Sequence, residues 1–253
     1  MRTKTLLIAS AVALAAAITT SQAQTVYSAN IVGYVNQILP GSGNGFTLIN
    51  VPLTGATNAA DVEMPCLNTF DSILVWTGSS FYTYTYVGPG ANQPGGTGAG
   101  NWSNTDPGNP GGPPILTPGE GFFYQNQQGS AETNTWTGNV VLSNSVALSG
   151  SGSGFTLVGS SVPLSGFADN TNIDLPLQTF DSVLAWNGTG YYVYTYVGAG
   201  YNQPGGTGPG NWSNTDPGNS SGPPTLVVGE GFYYQNQQGS TETWNQNDSY
   251  INP

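Results

Sequence analysis

Residues 70–87 read FDSILVWTGSSFYTYTYV, and residues 180–197 read FDSVLAWNGTGYYVYTYV. Ile73-Leu74-Val75-Trp76, like its copy Val183-Leu184-Ala185-Trp186, is apolar at consecutive positions, so both faces of the strand it forms must be covered. Thr77-Gly78-Ser79-Ser80 and Asn187-Gly188-Thr189-Gly190 follow as hairpin connections, with glycine available for the positive φ that tight turns need. The next strand, Phe81 to Val87, alternates. Tyr82, Tyr84 and Tyr86 fall on one face, and Phe81, Thr83, Thr85 and Val87 on the other.

These hairpins sit in a longer duplication. Residues 69–133 return as 179–243 with 48 of 65 positions identical. Upstream, Phe46 to Val51 is a strand stopped by Pro52, and Phe155-Thr156-Leu157-Val158 repeats its start after a Gly/Ser turn at 150–154. Val26 to Leu39 reads as one or two strands, Phe122 to Gln125 as another, and the strands near Trp136 and Trp244 close the two repeats. Residues 88–114 form a long Gly/Pro/Asn loop carrying Trp102, copied around Trp212, and loops of this length inside a domain tend to be functional. Only the variable connections 54–68 and 165–178 lean towards helix. The expected fold is therefore all-β: two tandem, internally duplicated β-sandwich or small β-barrel domains, residues 24–137 and 138–253. Residues 139–148 fit either the end of the first repeat or the start of the second.

The first 23 residues have the order of a secretory signal peptide: Arg2 and Lys4, an apolar run from Leu6 to Ile18, and Ser21-Gln22-Ala23 before a mature start near Gln24. Arg2 and Lys4 are the chain's only two basic residues and there is no histidine, so the remainder has 13 acidic side chains, no basic ones and a formal charge of −13. Such a chain has no means of gripping phosphates, which excludes nucleic acid and anionic membranes as partners. Its carboxylates must be satisfied by backbone N–H groups, hydroxyls, amides, water or a cation. Cys66 is the only cysteine, so no internal disulfide exists, and it is expected as a small buried apolar residue. The 29 aromatic residues at strand-like spacing argue against disorder despite the low charge.

The segments SANIVGYVN (28–36), GFTLINVPL (45–53), FDSILVW (70–76) and LTPGEGFFY (116–124) together resemble a group of secreted proteins with duplicated domains found in verrucomicrobial and similar environmental bacteria. The resemblance covers residues 24–253. It implies export and a duplicated β architecture, and it carries no activity over.

Candidate chemistry is limited by what is missing. Without histidine or lysine there is no usual base for a serine or cysteine nucleophile and no imidazole for zinc. Two carboxylates among Asp71, Asp106, Glu120 and Glu132, or their copies Asp181, Asp216, Glu230 and Glu242, would serve a glycoside hydrolase if the fold set them about 5–10 Å apart. The plainer reading makes them turn residues. Calcium is the one cofactor left open, through Asn101, Asn104 and Asp106 and their copies Asn211, Asn214 and Asp216, which offer hard oxygen ligands. Tyr82, Tyr84, Tyr86 and Trp102, with Tyr192, Tyr194, Tyr196 and Trp212, are the candidate platforms for stacking sugar, against a plainer reading as β core. The expected function is that of an exported, non-catalytic surface or extracellular-matrix protein with a structural or adhesive role, its partners polysaccharide or other surface proteins. The alternative is a carbohydrate-binding module with two equivalent aromatic sites, and a carboxylate-dependent glycosidase ranks third. The expected location is extracellular, at the cell surface or periplasmic.

Overall fold

In the computed structural model of the chain, residues 31–41, 45–55, 57–88, 102–104, 112–150, 154–198, 212–214 and 222–247 are described. The leader, the cleavage site and most of both long loops lie outside them. Repeat 1 contributes β1 (Val32–Leu39), β2 (Gly45–Asn50), one helical turn α1 (Ala60–Glu63), β3 (Ser72–Trp76), β4 (Phe81–Tyr86), β5 (Trp102–Asn104), β6 (Gly121–Asn126) and β7 (Glu132–Asn139). Repeat 2 contributes β8 (Ser143–Leu148), β9 (Gly154–Gly159), β10 (Gly166–Phe167), β11 (Ser182–Trp186), β12 (Tyr191–Tyr196), β13 (Trp212–Asn214), β14 (Thr225–Leu226), β15 (Gly231–Asn236) and β16 (Glu242–Asn247). Asn139 ends β7 and Ser143 opens β8, so the chain crosses from one repeat to the next over residues 140–142.

Each repeat builds an open five-stranded antiparallel sheet, in the order β2-β6-β3-β4-β5 and, for the copy, β9-β15-β11-β12-β13. Each also builds a two-stranded ribbon, β1-β7 or β8-β16. The sheets do not close, so of the two expected architectures the layered one forms and the barrel does not. The run Ile73 to Trp76 lies in the third of the five strands, paired on one side with β4 and on the other with β6. Its continuous apolarity follows from that place, because both faces of the sheet are covered.

On one face, Ile73, Tyr84, Phe122 and Tyr124 pack against Leu39 and Trp136 of the ribbon, with Trp102, Met64 and Leu116 filling the rim. The other face is largely covered by the second repeat. Leu48, Phe123, Phe46, Leu74, Trp76 and Phe81 pack against Leu157, Tyr233, Phe155, Leu184, Trp186 and Tyr191 of the second repeat. The layers run ribbon, sheet, sheet, ribbon, and Val32–Pro253 forms one unit.

The contact between the sheets is reciprocal, as in a twofold dimer made within one chain. Trp76 Nε1 donates to Phe155 O at 3.1 Å, and its copy Trp186 Nε1 donates to Phe46 O at 2.8 Å. Trp76 stands edge-on to Tyr233 with ring centroids 5.7 Å apart, and Trp186 edge-on to Phe123 at 5.3 Å. Such pairs contribute about 0.5–1.5 kcal/mol each beyond burial. Where the edge strands β2 and β9 end, the backbone bonds stay reciprocal, Asn50 N to Gly229 O at 2.9 Å and Gly159 N to Gly119 O at 3.0 Å, but the side chains differ. Asn50 Nδ2 donates to Ser160 O at 2.8 Å, and a Cβ on Gly159 would lie 2.3 Å from Asn50 Cγ, so glycine is required there to admit the asparagine.

The ribbons differ in one swap. Inward positions of β7 carry Asn134 then Trp136, whereas those of β16 carry Trp244 then Gln246. Gln246 Oε1 accepts from Ser161 N and Oγ, both at 2.8 Å, and so holds the Ser160-Ser161 turn of repeat 2. The two repeats therefore reach the same layering through different buried contacts.

Candidate functional site

Asp71 and Glu132, 61 residues apart in sequence, meet at one phenol. Tyr124, on β6, donates its hydroxyl to Asp71 Oδ2 at 2.6 Å, and Glu132 Oε2 lies 3.0 Å from the same oxygen. Asp71 is fully buried and also accepts Asn68 N at 2.8 Å and Gln127 N at 2.9 Å. Asn68 Nδ2 donates to the other oxygen of Glu132. Repeat 2 rebuilds the knot: Tyr234 donates to Asp181 Oδ2 at 2.5 Å, Glu242 Oε2 lies 3.4 Å from that hydroxyl, and Gln178 N and Gln237 N each donate to Asp181 at 2.8 Å. A phenol has one proton to give. Burial, and then the charge of the neighbouring Asp71 or Asp181, holds Glu132 and Glu242 above the ordinary carboxylate range. A protonated glutamic acid can donate back to the phenol oxygen. Burial pushes Tyr124 and Tyr234 far up, so both stay neutral donors.

A retaining glycosidase holds its two carboxyl groups roughly 5–5.5 Å apart with sugar between them. Here the tyrosine hydroxyl fills that gap, and Asp71 and Asp181 have no exposed surface. Cys66 packs against this cluster, and burial, followed by the Glu132 charge, pushes its thiol up to about 12, so it is not a nucleophile at neutral pH.

The aromatic candidates are placed inside. Trp102 is 1% exposed and Trp212 3%, and each packs edge-on against the tyrosine one strand away: Tyr86 at 5.3 Å and Tyr196 at 5.4 Å. Tyr84 and Tyr194 are buried in the same cores, with Tyr82, Tyr86, Tyr192 and Tyr196 packed partly buried beside them. Trp102, Trp212, Tyr84 and Tyr194 therefore belong to the β core, while Tyr82, Tyr86, Tyr192 and Tyr196 keep part of their surface. The physical reason is that β5 and β13 draw each loop tryptophan onto the sheet edge beside the tyrosine face. Of the calcium candidates, Asn101, Asp106, Asn211 and Asp216 lie outside the described residues, and Asn104 and Asn214 are described only as the last residues of β5 and β13. Among the described residues, no group of three or more acidic or cysteine side chains is placed to hold a metal.

An open cleft of about 800 Å³ lies where the turn before β6 meets β8 and β9. Trp76 and Phe155 supply apolar wall, and Asn144, Ser145 and Thr117 supply polar groups. Glu120 is its only carboxylate among the described residues. Burial raises that carboxyl above its ordinary 4.5, while bonds from Thr117 offset part of the shift. Glu230, at the same place in repeat 2, is likewise raised by burial.

Two features escaped the sequence reading. Phe70 and Phe180 have φ of 79° and 77°, a region costly for a bulky residue, and both are exposed. Each donates its N–H to a tyrosine carbonyl of the neighbouring strand, Tyr86 O or Tyr196 O, at 2.6 Å, which places the following aspartate inward. The second feature is the outer face of the β1-β7 ribbon, where Val32, Tyr34 and Ile38 stand out from the surface. Among the described residues no helix is long and apolar enough to cross a membrane. No protein-family model, curated protein or solved structure matches the chain.

Proposed function

We propose that the protein is an exported, non-catalytic β protein with a structural or adhesive role at the cell surface or in extracellular matrix. The observation that carries this reading is the internal use of its acids. Both Asp–Tyr–Glu knots spend oxygens on backbone, amide and phenol donors, and Glu120 is the only carboxylate among the described residues lining the cleft beside Trp76. Composition supports the same reading, since a chain with two basic residues and no histidine lacks the common bases and electrophiles of enzymes. Export rests on the leader-like order of residues 1–23.

The test is a pair of measurements on the full chain. Cell fractionation should place it outside the cytoplasm, shortened by the leader. Purified protein incubated with neutral and acidic polysaccharides should release no reducing ends. Release that disappears in Glu120→Gln or Asp71→Asn, with folding intact, would overturn the non-catalytic reading.

A further inference from the structure

The duplication supplies an internal control for what the fold requires of its surface. The outer face of the β1-β7 ribbon consists of Val32, Tyr34, Asn36 and Ile38 opposite Asn139, Thr137, Thr135 and Thr133. Val32 is 72%, Tyr34 75% and Ile38 69% exposed. The corresponding face in repeat 2 pairs Ser143, Ser145 and Ala147 with Asn247, Asn245 and Thr243. Tyr34 thus corresponds to Ser143 and Ile38 to Ala147. The same ribbon forms without large apolar groups outside, so folding does not explain Tyr34 and Ile38.

Dimensions and charge select the occupant. From Val32 to Ile38 the face runs about 20 Å, and two strands about 5 Å apart give it roughly 200–300 Å². A stable protein interface needs about 800 Å² per partner, so a second copy would be held too weakly by this face alone. A narrow linear polymer fits it. None of the eight outward side chains is charged, on a chain that carries 13 acids and only two bases. A polyanion would be repelled by the chain, and a polycation would find no carboxylate on the face. Tyrosine beside threonine and asparagine offers a flat apolar ring flanked by hydroxyls and an amide, as sugar recognition requires. Thr135 Oγ1 already donates to Asn36 Oδ1 at 2.8 Å, which holds the middle of the face in place.

We propose that the outer face of the β1-β7 ribbon binds one strand of a neutral polysaccharide lying along the ribbon, with Tyr34 as the stacking residue. This rests on the non-catalytic reading above and gives it a ligand.

The experiment is retention of the full chain on cellulose, xylan and a β-1,3-glucan, with alginate as the acidic control. Wild type should be retained by at least one of the three neutral polymers and not by alginate. Tyr34→Ser with Ile38→Ala, the residues repeat 2 uses, should reduce retention at least tenfold with the melting temperature unchanged. Ser143→Tyr with Ala147→Ile should raise the number of polymer sites per chain from one to two. Retention unchanged in the first variant, or absent on all three polymers, overturns the proposal. Self-association that the first variant abolishes would assign the face to a second copy and also overturn it. Fractionation and reducing-end release test the parent reading separately, because a chain retained inside the cell or turning over polymer can still bind through this ribbon.

Discussion

Replacing Tyr124 with phenylalanine removes one oxygen and no ring, so the result reports on the buried knot rather than on packing. In the native protein that hydroxyl is one of three close donors to the fully buried Asp71, with Asn68 N and Gln127 N. Among the described residues no cation neutralises the aspartate. A hydrogen bond to a buried charged group contributes about 1.5–3 kcal/mol, and its loss also leaves an acceptor without its donor. For a unit of about 220 residues, 2 kcal/mol corresponds to a fall in melting temperature of about 4–8 °C. Tyr234→Phe should cost about as much, because Tyr234 makes the matching bond to Asp181 at 2.5 Å. The knots share no partner, so the double variant should lose close to the sum. Urea unfolding followed by tryptophan fluorescence measures all three. A loss below about 0.5 kcal/mol for both single variants would refute the reading of these acids as internal stitches.

Other outcomes follow from the same contacts. Glu120, Glu230, Glu132 and Glu242 all have carboxyl groups raised by burial above the ordinary 4.5. A raised folded-state value contributes stability that is fully present below the unfolded value and is lost as pH rises through the folded one. The melting temperature should therefore climb as pH falls from 7 towards 5, and the slope should flatten in Glu120→Gln with Glu230→Gln. Gly159→Ala should destabilise by about 1–3 kcal/mol through its collision with Asn50, and Asn50→Gly should recover most of that loss. Phe70→Gly should stabilise by about 1 kcal/mol, since strain of about 1–3 kcal/mol at φ 79° exceeds the entropy cost of glycine. Thermal melts of the purified variants check both.

How far the sequence could be read depended on how local each signal was. The alternation in FYTYTY assigned its own two faces: Tyr84 points into the repeat's core and Phe81 into the contact between the sheets. The apolar run Ile73 to Trp76 announced a strand covered on both sides, but nothing near it said that the second cover is the copy of the same sheet. That contact joins residues more than 70 apart, such as Trp76 and Phe155. Trp102 looked available because a Gly/Asn loop surrounds it, whereas three strand residues suffice to bury it beside Tyr86. The knot was invisible for a similar reason, since its three members come from separate elements. Tyr34 was passed over because its strand is ordinary, and only the comparison of the two ribbons in register marks it.

The central structural claim is that two copies of one repeat fold as a single body through stacked sheets. Scanning calorimetry of the full chain tests it most directly. One transition is predicted, with an enthalpy of roughly 150 kcal/mol by calorimetry that equals the van't Hoff value, and moved as a whole by Trp76→Ala. Two transitions, of which Trp76→Ala shifts only one, would contradict it.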